Sequence, residues 1–354
     1  MDTGWSSNDP FAYPFYLSVS FAKQMPPFLN ISASDLKKEF YRILIATGFD
    51  EQKASACAEV FTDNSIDGVY SHGVNRFPKF IAMVKAGAVD PSVEAVAKNK
   101  IGNVEQWDGR KGPGIVNAIK CTDRAVELAK SGGIGCVALA HTNHWMRGGT
   151  YGWRAAKAGC IFIGWSNTIA NTPAWGAINH KLGNNPLVIG IPYKGEAIVL
   201  DMAMSQFSYG AMEMYDLKNE KLPVHGGYDT KGRLTTDPKE ITMSQRTLPI
   251  GYWKGSGLSL LLDILAVSLS GGLSVAEVTK QEHETNLSQV FICIESFSND
   301  ALVKNILEDF KSSLPENPDR PVRYPGENVL KTREKNLVEG VPVLRSIWDE
   351  IRTL

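Results

Sequence analysis

The sequence lacks the features of a disulfide-stabilised, metal-binding or nucleic-acid-binding protein. Its 354 residues include five cysteines, an odd number scattered through apolar runs without a C-x-x-C pair. Neither a disulfide framework nor a thiolate metal site is therefore expected. The formal net charge is -1, whereas a nucleic-acid partner usually requires a clustered basic surplus. We expect a reducing, cytoplasmic compartment and no nucleic-acid partner.

A membrane-spanning segment is also missing from the sequence pattern. The longest apolar run, residues 257–272, contains Asp263 and three serines and is too short and too polar to span a bilayer. Residues 1–30 contain two acids and no base before Lys23, which is unlike a signal or transit peptide. We therefore expect no membrane partner and interpret residues 1–30 as a mobile extension.

Capping residues and a proline mark the helices of the first hundred residues. Ser32 has capping-box spacing to the acid three residues later, and a second helix is expected to begin at Asp50. Pro78 is tolerated only in the first turn of a helix, so the third helix should begin near Asn75. This start leaves His72 just before the helix.

From about residue 101 the sequence alternates short β-rich runs with helix patterns, which is typical of an α/β domain. Gly133–Gly135 begins a dinucleotide fingerprint, but the third glycine is missing and a strand follows where a helix should. Another candidate is Lys254 with Gly255–Gly257, ahead of a helix predicted to be buried, where free N–H groups and the helix dipole suit a phosphate. Spacing alone leaves a phosphate site and a simple tight turn equally open.

Five runs of ten or more residues carry a resemblance to a known family. They are "YSHGVNRFPKF", "HTNHWMRGGTYGW", "GNNPLVIGIP", "VLDMAMSQFSYG" and "LPIGYWKGSGLSLLLDIL". They resemble the malate/L-lactate dehydrogenase-like oxidoreductases, which are unrelated to the Rossmann enzymes, and the resemblance covers about residues 31 to 352. It implies an α/β fold in which a non-Rossmann cofactor domain, 101–299, is inserted into a helical domain built from both chain ends, 31–100 and 300–354. It also implies a homodimer with the active site in a cleft.

The resemblance assigns roles to individual residues of this chain. His72 matches the proton donor of the family, and Arg76 lies where a substrate carboxylate is bound. The other residues matching the substrate pocket are Asn143, His144 and Arg147, with His180 as a contact that could instead close a turn. The residues matching the cofactor contacts are Ala197, Ile198, Val199, Leu200, Asp201, Met202, Ala203, Trp253, Lys254, Gly326, Glu327 and Asn328. Asn328 departs from the family pattern, which weakens the last three matches.

The residue types suit the reduction of a keto acid. Such a reduction needs a hydride at the carbonyl carbon and a proton at its oxygen, and the pKa of histidine suits the second task. Arginine binds the neighbouring carboxylate in a bidentate pair. Asp201 could orient the histidine or a ligand hydroxyl, or could simply cap the next turn. His141 and His144 have i, i+3 spacing but no accompanying carboxylate or thiolate, so no metal is expected.

The resemblance therefore implies an NAD(P)H-dependent reductase of a 2-keto or 2,3-diketo sugar acid, with NADH as cofactor and NADPH possible. The run "HWMRGG" is similar to the sugar-acid branch, while malate, lactate, ureidoglycolate or a cyclic imine acid stay open as substrates. A hydrolase using Ser71 or another serine with His72 and Asp201 is the alternative from another class, but the chain has no G-x-S-x-G elbow in a strand-to-helix context. Non-catalytic binding would be favoured only if His72 were buried away from any cleft.

Overall fold

The computed structural model describes residues 28–297 and 300–354. The helices are α1 (Ala33–Ala46), α2 (Glu51–Ile66), α3 (Phe77–Lys85), α4 (Gly114–Gly132), α5 (Gly149–Lys157), α6 (Tyr209–Leu217), α7 (Pro238–Ser244), α8 (Trp253–Ser270), α9 (Val275–Val278), α10 (Asp300–Lys311), α11 (Glu327–Glu339) and α12 (Arg345–Thr353). The strands are β1 (Phe28–Ile31), β2 (Val96–Ile101), β3 (Val104–Asp108), β4 (Ile134–Thr142), β5 (Cys160–Ser166), β6 (Thr172–Pro173), β7 (His180–Leu182), β8 (Leu187–Tyr193), β9 (Glu196–Met202), β10 (Gly227–Tyr228), β11 (Leu234–Thr235), β12 (Leu287–Glu295) and β13 (Val341–Leu344).

The first three helices begin close to the residues that the sequence indicated. The Ser32 hydroxyl caps α1 by accepting a hydrogen bond from the backbone N–H of Asp35, and the Asp50 carboxylate caps α2 in the same way. Helix α3 begins at Phe77, two residues later than predicted, and Pro78 lies in its first turn. The turn that carries His72 therefore lies outside the helix, as expected.

The two chain ends build one helical core. Strand β1 pairs antiparallel with β13. The buried side chains of α1, α2 and α3 form one cluster with Val341, Val343 and Ile351 from the other end of the chain. The prediction of a helical portion built from both chain ends is confirmed. Burial of these apolar side chains stabilises the junction between the two chain ends.

The α/β portion contains a seven-stranded sheet with the strand order β2-β3-β4-β12-β5-β8-β9. Only β3 and β4 pair in parallel, and the other neighbours are antiparallel. Helices α4 and α5 pack on one face, and α8 packs on the other. A doubly wound Rossmann sheet is mostly parallel, so the predicted non-Rossmann fold is confirmed. Strand β9 lies at one edge of this sheet.

The domain boundaries stay a prediction, namely residues 31–100 with 300–354 and residues 101–299. Strand β2 straddles the proposed boundary, because it begins at Val96 and pairs with β3 in the large sheet. Of the predicted extension, residues 1–27 lie outside the described part of the chain, and Phe28–Asn30 belong to β1.

The prediction of a buried helix after the glycine–lysine turn is wrong. Helix α8 begins at Trp253, so Lys254 and Gly255–Gly257 lie inside its first turns rather than ahead of it. Its inner face packs on the sheet, but Leu261 and Ile264 on its outer face are 56% and 50% exposed. A helix that is apolar on all sides needs a partner on each side, and the described chain supplies only one.

A buried ion-pair network joins the helical core to the α/β portion. The Asp67 carboxylate, at the end of α2, accepts hydrogen bonds from Arg147 and Arg333. The Arg333 Nε–Asp67 Oδ1 distance is 2.7 Å, and the Arg333 guanidinium lies 5.2 Å from the ring centre of Trp153. Asp67 and Arg147 are each 6% exposed, so water does little to screen the pair.

Replacing Asp67 with asparagine should destabilise the protein strongly, because it removes the charged acceptor shared by the buried Arg147 and by Arg333. We expect Asp67→Asn to lower the free energy of unfolding by roughly 3–5 kcal/mol in urea denaturation. Glu59→Gln is the matched control on the same helix, since Glu59 pairs with Lys37 at the surface, and it should change that free energy by less than about 1 kcal/mol. Equal losses in the two variants would show that the network contributes no more than a surface pair.

Candidate active site

His72 lies in a short 3-10 turn, Tyr70–His72, between α2 and α3. Two side chains at the end of α2 form hydrogen bonds with the backbone of this turn and of the residues that follow it. The Asn64 amide donates to the carbonyl oxygen of His72 over 2.9 Å, and the Ser65 hydroxyl accepts from the backbone N–H of Val74 over 2.9 Å. The backbone that carries the predicted proton donor is therefore fixed by two polar residues of α2.

His72 and His144 form a stacked pair. Their ring centres are 5.7 Å apart, with an angle of 17° between the ring planes. Nδ1 of His144 accepts a hydrogen bond from the backbone N–H of Met146 over 3.0 Å, so the neutral ring carries its proton on Nε2. Nδ1 of His72 lies 3.1 Å from the Ser71 hydroxyl. The structure thus brings together two histidines that are far apart in the sequence.

Both histidines are disposed to be neutral. Burial lowers the pKa of His72 to about 4, and the positive charges of Arg76 and Arg147 act in the same direction. Burial also lowers the pKa of His144 well below its usual value, and Arg76 and the neighbouring His72 add to the effect. An anion bound beside Arg76 would offset part of this positive field.

Arg76 lies at the start of α3 beside one acid and one further base. Its Nη2 is 3.7 Å from Oε2 of Glu284, which is too long for a hydrogen bond. Arg76 and, to a lesser degree, burial lower the pKa of Lys79. Burial raises the pKa of Glu284 against the opposing charge of Arg76. Two cations facing one acid leave a surplus of positive charge that suits a carboxylate.

Asp201 lies near the end of the edge strand β9. Its Oδ2 accepts a hydrogen bond from the backbone N–H of Gly149, at the start of α5, over 2.8 Å. The residue is exposed, and desolvation by the surrounding protein raises the pKa of its carboxyl, while Arg147 and the Gly149 N–H oppose that shift. The ring of His72 hydrogen-bonds to Ser71, and the partner of Asp201 in this structure is Gly149.

The remaining predicted substrate residues occupy different environments. The Asn143 amide is buried and donates to backbone carbonyls, the shortest bond being 2.7 Å to Lys111. The Arg147 guanidinium donates a hydrogen bond to the Asp67 carboxylate. His180 lies in the β6–β7 hairpin, and among the described residues no ring contact or hydrogen bond joins it to His72. Only His144 of this group stacks directly on the predicted proton donor.

The start of α6 closes over the His72 turn. A Cβ on Gly210 would lie 2.8 Å from both Cβ and Oγ of Ser71, closer than such atoms approach in proteins, so only glycine allows this contact. Sequence reasoning assigned no role to Gly210, Lys79 or Glu284. Lys79 could have been found, because it lies one helical turn after Arg76 in the same motif. No motif or spacing in the sequence connects Glu284 with Arg76.

The predicted cofactor residues gather around β9. Gly326 begins α11 in a left-handed conformation, φ 88°, and a Cβ there would lie 3.2 Å from the backbone nitrogen of Val199. Oδ1 of Asn328 is buried without a hydrogen-bond partner in the described structure. Just beyond the other end of β9, the N–H of Ile250 donates to the carbonyl of Met204 over 2.8 Å, which brings the first turn of α8, with Trp253 and Lys254, near this end of the strand. A strand edge flanked by two helix N-termini fits an extended anionic cofactor.

Three general features of the described residues bear on function. All five cysteines are free and buried. Among residues 28–297 and 300–354, no group of three or more His, Cys, Asp or Glu side chains could hold a metal ion. Within the same ranges, no helix is both long enough and apolar enough to cross a bilayer.

The chain combines a non-Rossmann α/β fold with two stacked histidines beside Arg76, an arrangement that suits a small anionic substrate. The family model described as malate/L-lactate dehydrogenase matches residues 31–352, and the chain belongs to that family. It is therefore an oxidoreductase of a dehydrogenase family that uses nicotinamide cofactors.

Two curated relatives are similar over almost the whole chain. The 2,3-diketo-L-gulonate reductase of Escherichia coli is 44% identical over 333 residues, covering 92% of this chain and 100% of the relative. The protein of the same name from Citrobacter koseri is 43% identical over the same coverage. The family interpretation of the sequence motifs is confirmed by these matches.

Solved structures share the fold. Malate dehydrogenase from Entamoeba histolytica has a TM-score of 0.87 at 24% identity, covering 92% of this chain and 97% of that one. Sulfolactate dehydrogenase from Methanocaldococcus jannaschii has a TM-score of 0.83 at 26% identity, covering 92% and 96%. The fold is therefore common to proteins named for different substrates.

Stability should depend on pH through His72. An unfolded histidine titrates near pH 6.5, whereas the folded pKa of His72 is about 4. Between these values the unfolded chain binds more protons, so this contribution to the free energy of unfolding falls as the pH is lowered. As the pH is lowered from 7.5 to 5, we expect the free energy of unfolding of His72→Asn to rise by roughly 1–2 kcal/mol relative to that of the wild type.

The measurement is urea denaturation of both proteins at the two pH values. His225→Asn is the control, because His225 is exposed. Its free energy of unfolding should match that of the wild type at both pH values. A His72→Asn curve that parallels the wild type would show that the folded protein accepts a proton on His72 without cost.

Proposed function

We propose that the protein uses NADH to reduce a 2-keto or 2,3-diketo sugar acid, with 2,3-diketo-L-gulonate as the expected substrate. The observation that carries this proposal is the His72–His144 pair, stacked at 5.7 Å beside the positively charged Arg76. The names of the two curated relatives support the choice of substrate. The product would be 3-dehydro-L-gulonate.

Substrate binding prepares His72 to supply the proton. The Arg76 charge lowers the pKa of His72, so a substrate carboxylate paired with Arg76 would raise it towards the working pH. The 3.7 Å separation from Glu284 leaves the guanidinium free of a tight competing pair. The protonated ring then donates to the carbonyl oxygen as the carbonyl carbon is reduced.

The cofactor would lie along the edge of β9, with Ala197–Ala203 on one side and the N-terminus of α11 nearby. When bound, nicotinamide supplies the hydride. Gly326 permits close approach to β9, and the unpaired Oδ1 of Asn328 is an acceptor for a ligand hydroxyl. Lys254 in the first turn of α8 would contact a phosphate. We propose NADH rather than NADPH, in a cytoplasmic compartment consistent with the free, buried thiols.

A homodimer is part of the proposal, and the outer face of α8 supports it. Leu260, Leu261 and Ile264 expose 49%, 56% and 50% of their surface. Trp175 and Ile178, in a loop whose backbone is hydrogen-bonded to Ser256 of α8, extend the same apolar surface. A second copy would bury this surface by packing its own α8 against it.

The hydrolase alternative has limited support. The Ser71 hydroxyl does lie 3.1 Å from His72, but Gly210 packs against Ser71, and Asp201 is hydrogen-bonded to Gly149. The third member of a triad is therefore not oriented towards the ring. His72 is half-buried and stacked on His144 rather than enclosed in the core, which also disfavours a non-catalytic role.

His72 and Arg76 should affect different steps of the reduction of 2,3-diketo-L-gulonate. We expect His72→Asn to lower kcat by roughly 10²–10⁴-fold with cofactor affinity retained. Arg76→Lys should act mainly on kcat/KM, because lysine keeps the charge and loses the two-point geometry. Steady-state rates with NADH and with NADPH, and melting temperatures of the same preparations, measure these effects.

Arg42→Lys, at an exposed pair on α1, is the control. A near-normal kcat in His72→Asn would remove the proton-donor assignment.

The dimer should depend on the outer face of α8. Leu261→Glu places a charge in the proposed interface, so we expect the wild type to sediment as a dimer and this variant as a monomer at equal concentration. Val338→Glu is the control, because Val338 is 88% exposed on α11, which packs on the opposite side of the sheet. A monomeric wild type, or a dimeric Leu261→Glu protein, would contradict the proposed interface.

A further inference from the structure

We propose that Asn64 and Thr150 form a polar bridge that sets the position of His72 relative to Asp201. Asn64 lies on α2 in the helical core, and Thr150 lies on α5 beside the sheet. The Thr150 hydroxyl donates to Oδ1 of Asn64 over 2.8 Å, and Nδ2 of Asn64 donates to the carbonyl oxygen of His72 over 2.9 Å. Neither residue belongs to the substrate or cofactor contacts assigned above.

The orientation of the Asn64 amide follows from its partners. A backbone carbonyl can only accept a hydrogen bond, so Nδ2 must face His72, and Oδ1 must then face Thr150. The Thr150 hydroxyl acts as the donor in that contact. Asn64 is fully buried, and each of these groups would be costly to leave unpaired. Only this orientation of the Asn64 amide therefore satisfies every hydrogen-bonding group of the bridge.

Asn64 fixes both ends of the turn that carries His72. Its backbone carbonyl accepts from the N–H of Val69 over 2.8 Å, and its side chain binds the carbonyl of His72. The next residue, Ser65, accepts from the N–H of Val74. A displacement of the Asn64 side chain would therefore move the His72 backbone directly.

Thr150 connects the same bridge to Asp201. The residue before it, Gly149, donates its backbone N–H to Oδ2 of Asp201 over 2.8 Å. The first turn of α5 thus binds Asn64 through one residue and Asp201 through the adjacent one. Because His72 and Asp201 belong to different structural portions, this bridge sets their separation across the cleft. A displacement of about 1 Å at a reacting group can cost about 10²-fold in rate.

The inference deepens the proposed function and rests on His72 as the proton donor. Asn64 and Thr150 are positioning residues, because they act through His72 and Asp201. Removing the Thr150 hydroxyl should therefore lower kcat while leaving the KM for the keto acid, which Arg76 governs, little changed. A purely structural role would lower the melting temperature and leave the kinetics unchanged.

The test compares Thr150→Val, which removes the hydroxyl at constant shape, with Thr150→Ser, which keeps it. With NADH and 2,3-diketo-L-gulonate, we expect Thr150→Val to lose roughly 10-fold or more in kcat, and Thr150→Ser to recover most of that loss. Thr62→Val is the matched control, because the buried Thr62 hydroxyl donates within α2 to the carbonyl of Ala58 over 2.7 Å. It should lower the melting temperature and keep the wild-type kcat.

His72→Asn, measured in parallel, separates a failure of the bridge from a failure of the proposed function. If His72→Asn loses activity while Thr150→Val keeps the wild-type kcat and KM, the bridge is wrong and the proposed function stands. If Thr62→Val loses as much kcat as Thr150→Val, the effect is general destabilisation and the bridge is also wrong. If His72→Asn keeps a near-normal kcat, both the proposed function and the bridge are overturned.

Discussion

The shared carboxylate of Asp67 is the contact on which the cleft depends, because two arginines from distant parts of the chain bind it together. Arg147 comes from the loop before α5, and Arg333 comes from α11. That loop continues into Gly149, whose N–H binds Asp201. The helical core, the edge of the sheet and helix α11 are thus joined around one buried negative charge. A paired buried charge of this kind is costly to disrupt, since the remaining partner stays desolvated.

The same positive field that Asp67 balances also controls the histidines. Burial, Arg76 and Arg147 lower the pKa of His72 in the free protein. In the proposed function, pairing Arg76 with a substrate carboxylate would both orient the substrate and favour protonation of the ring. Substrate binding and proton supply would then be linked through electrostatics.

Close backbone approach shapes the rest of the cleft. Gly210 lets α6 close over Ser71, and Gly326 lets α11 reach the edge of β9. On the far face of the sheet, α8 carries Lys254 in its first turn and an exposed apolar face beyond it. Cofactor binding and the proposed dimer surface would therefore share one helix, so a change in one is expected to affect the other.

Local patterns determined the local structure of this chain. Ser32, Asp50 and Pro78 marked the first three helices because capping and proline geometry depend on a few adjacent residues. Long motifs determined the family, and hence the inserted α/β portion. Tertiary structure alone decided the rest. It placed β12 between β4 and β5, brought Glu284 to 3.7 Å from Arg76, and left α8 half uncovered. These outcomes depend on contacts between distant segments, and hydrophobicity does not distinguish a surface buried within the chain from one that awaits a second copy.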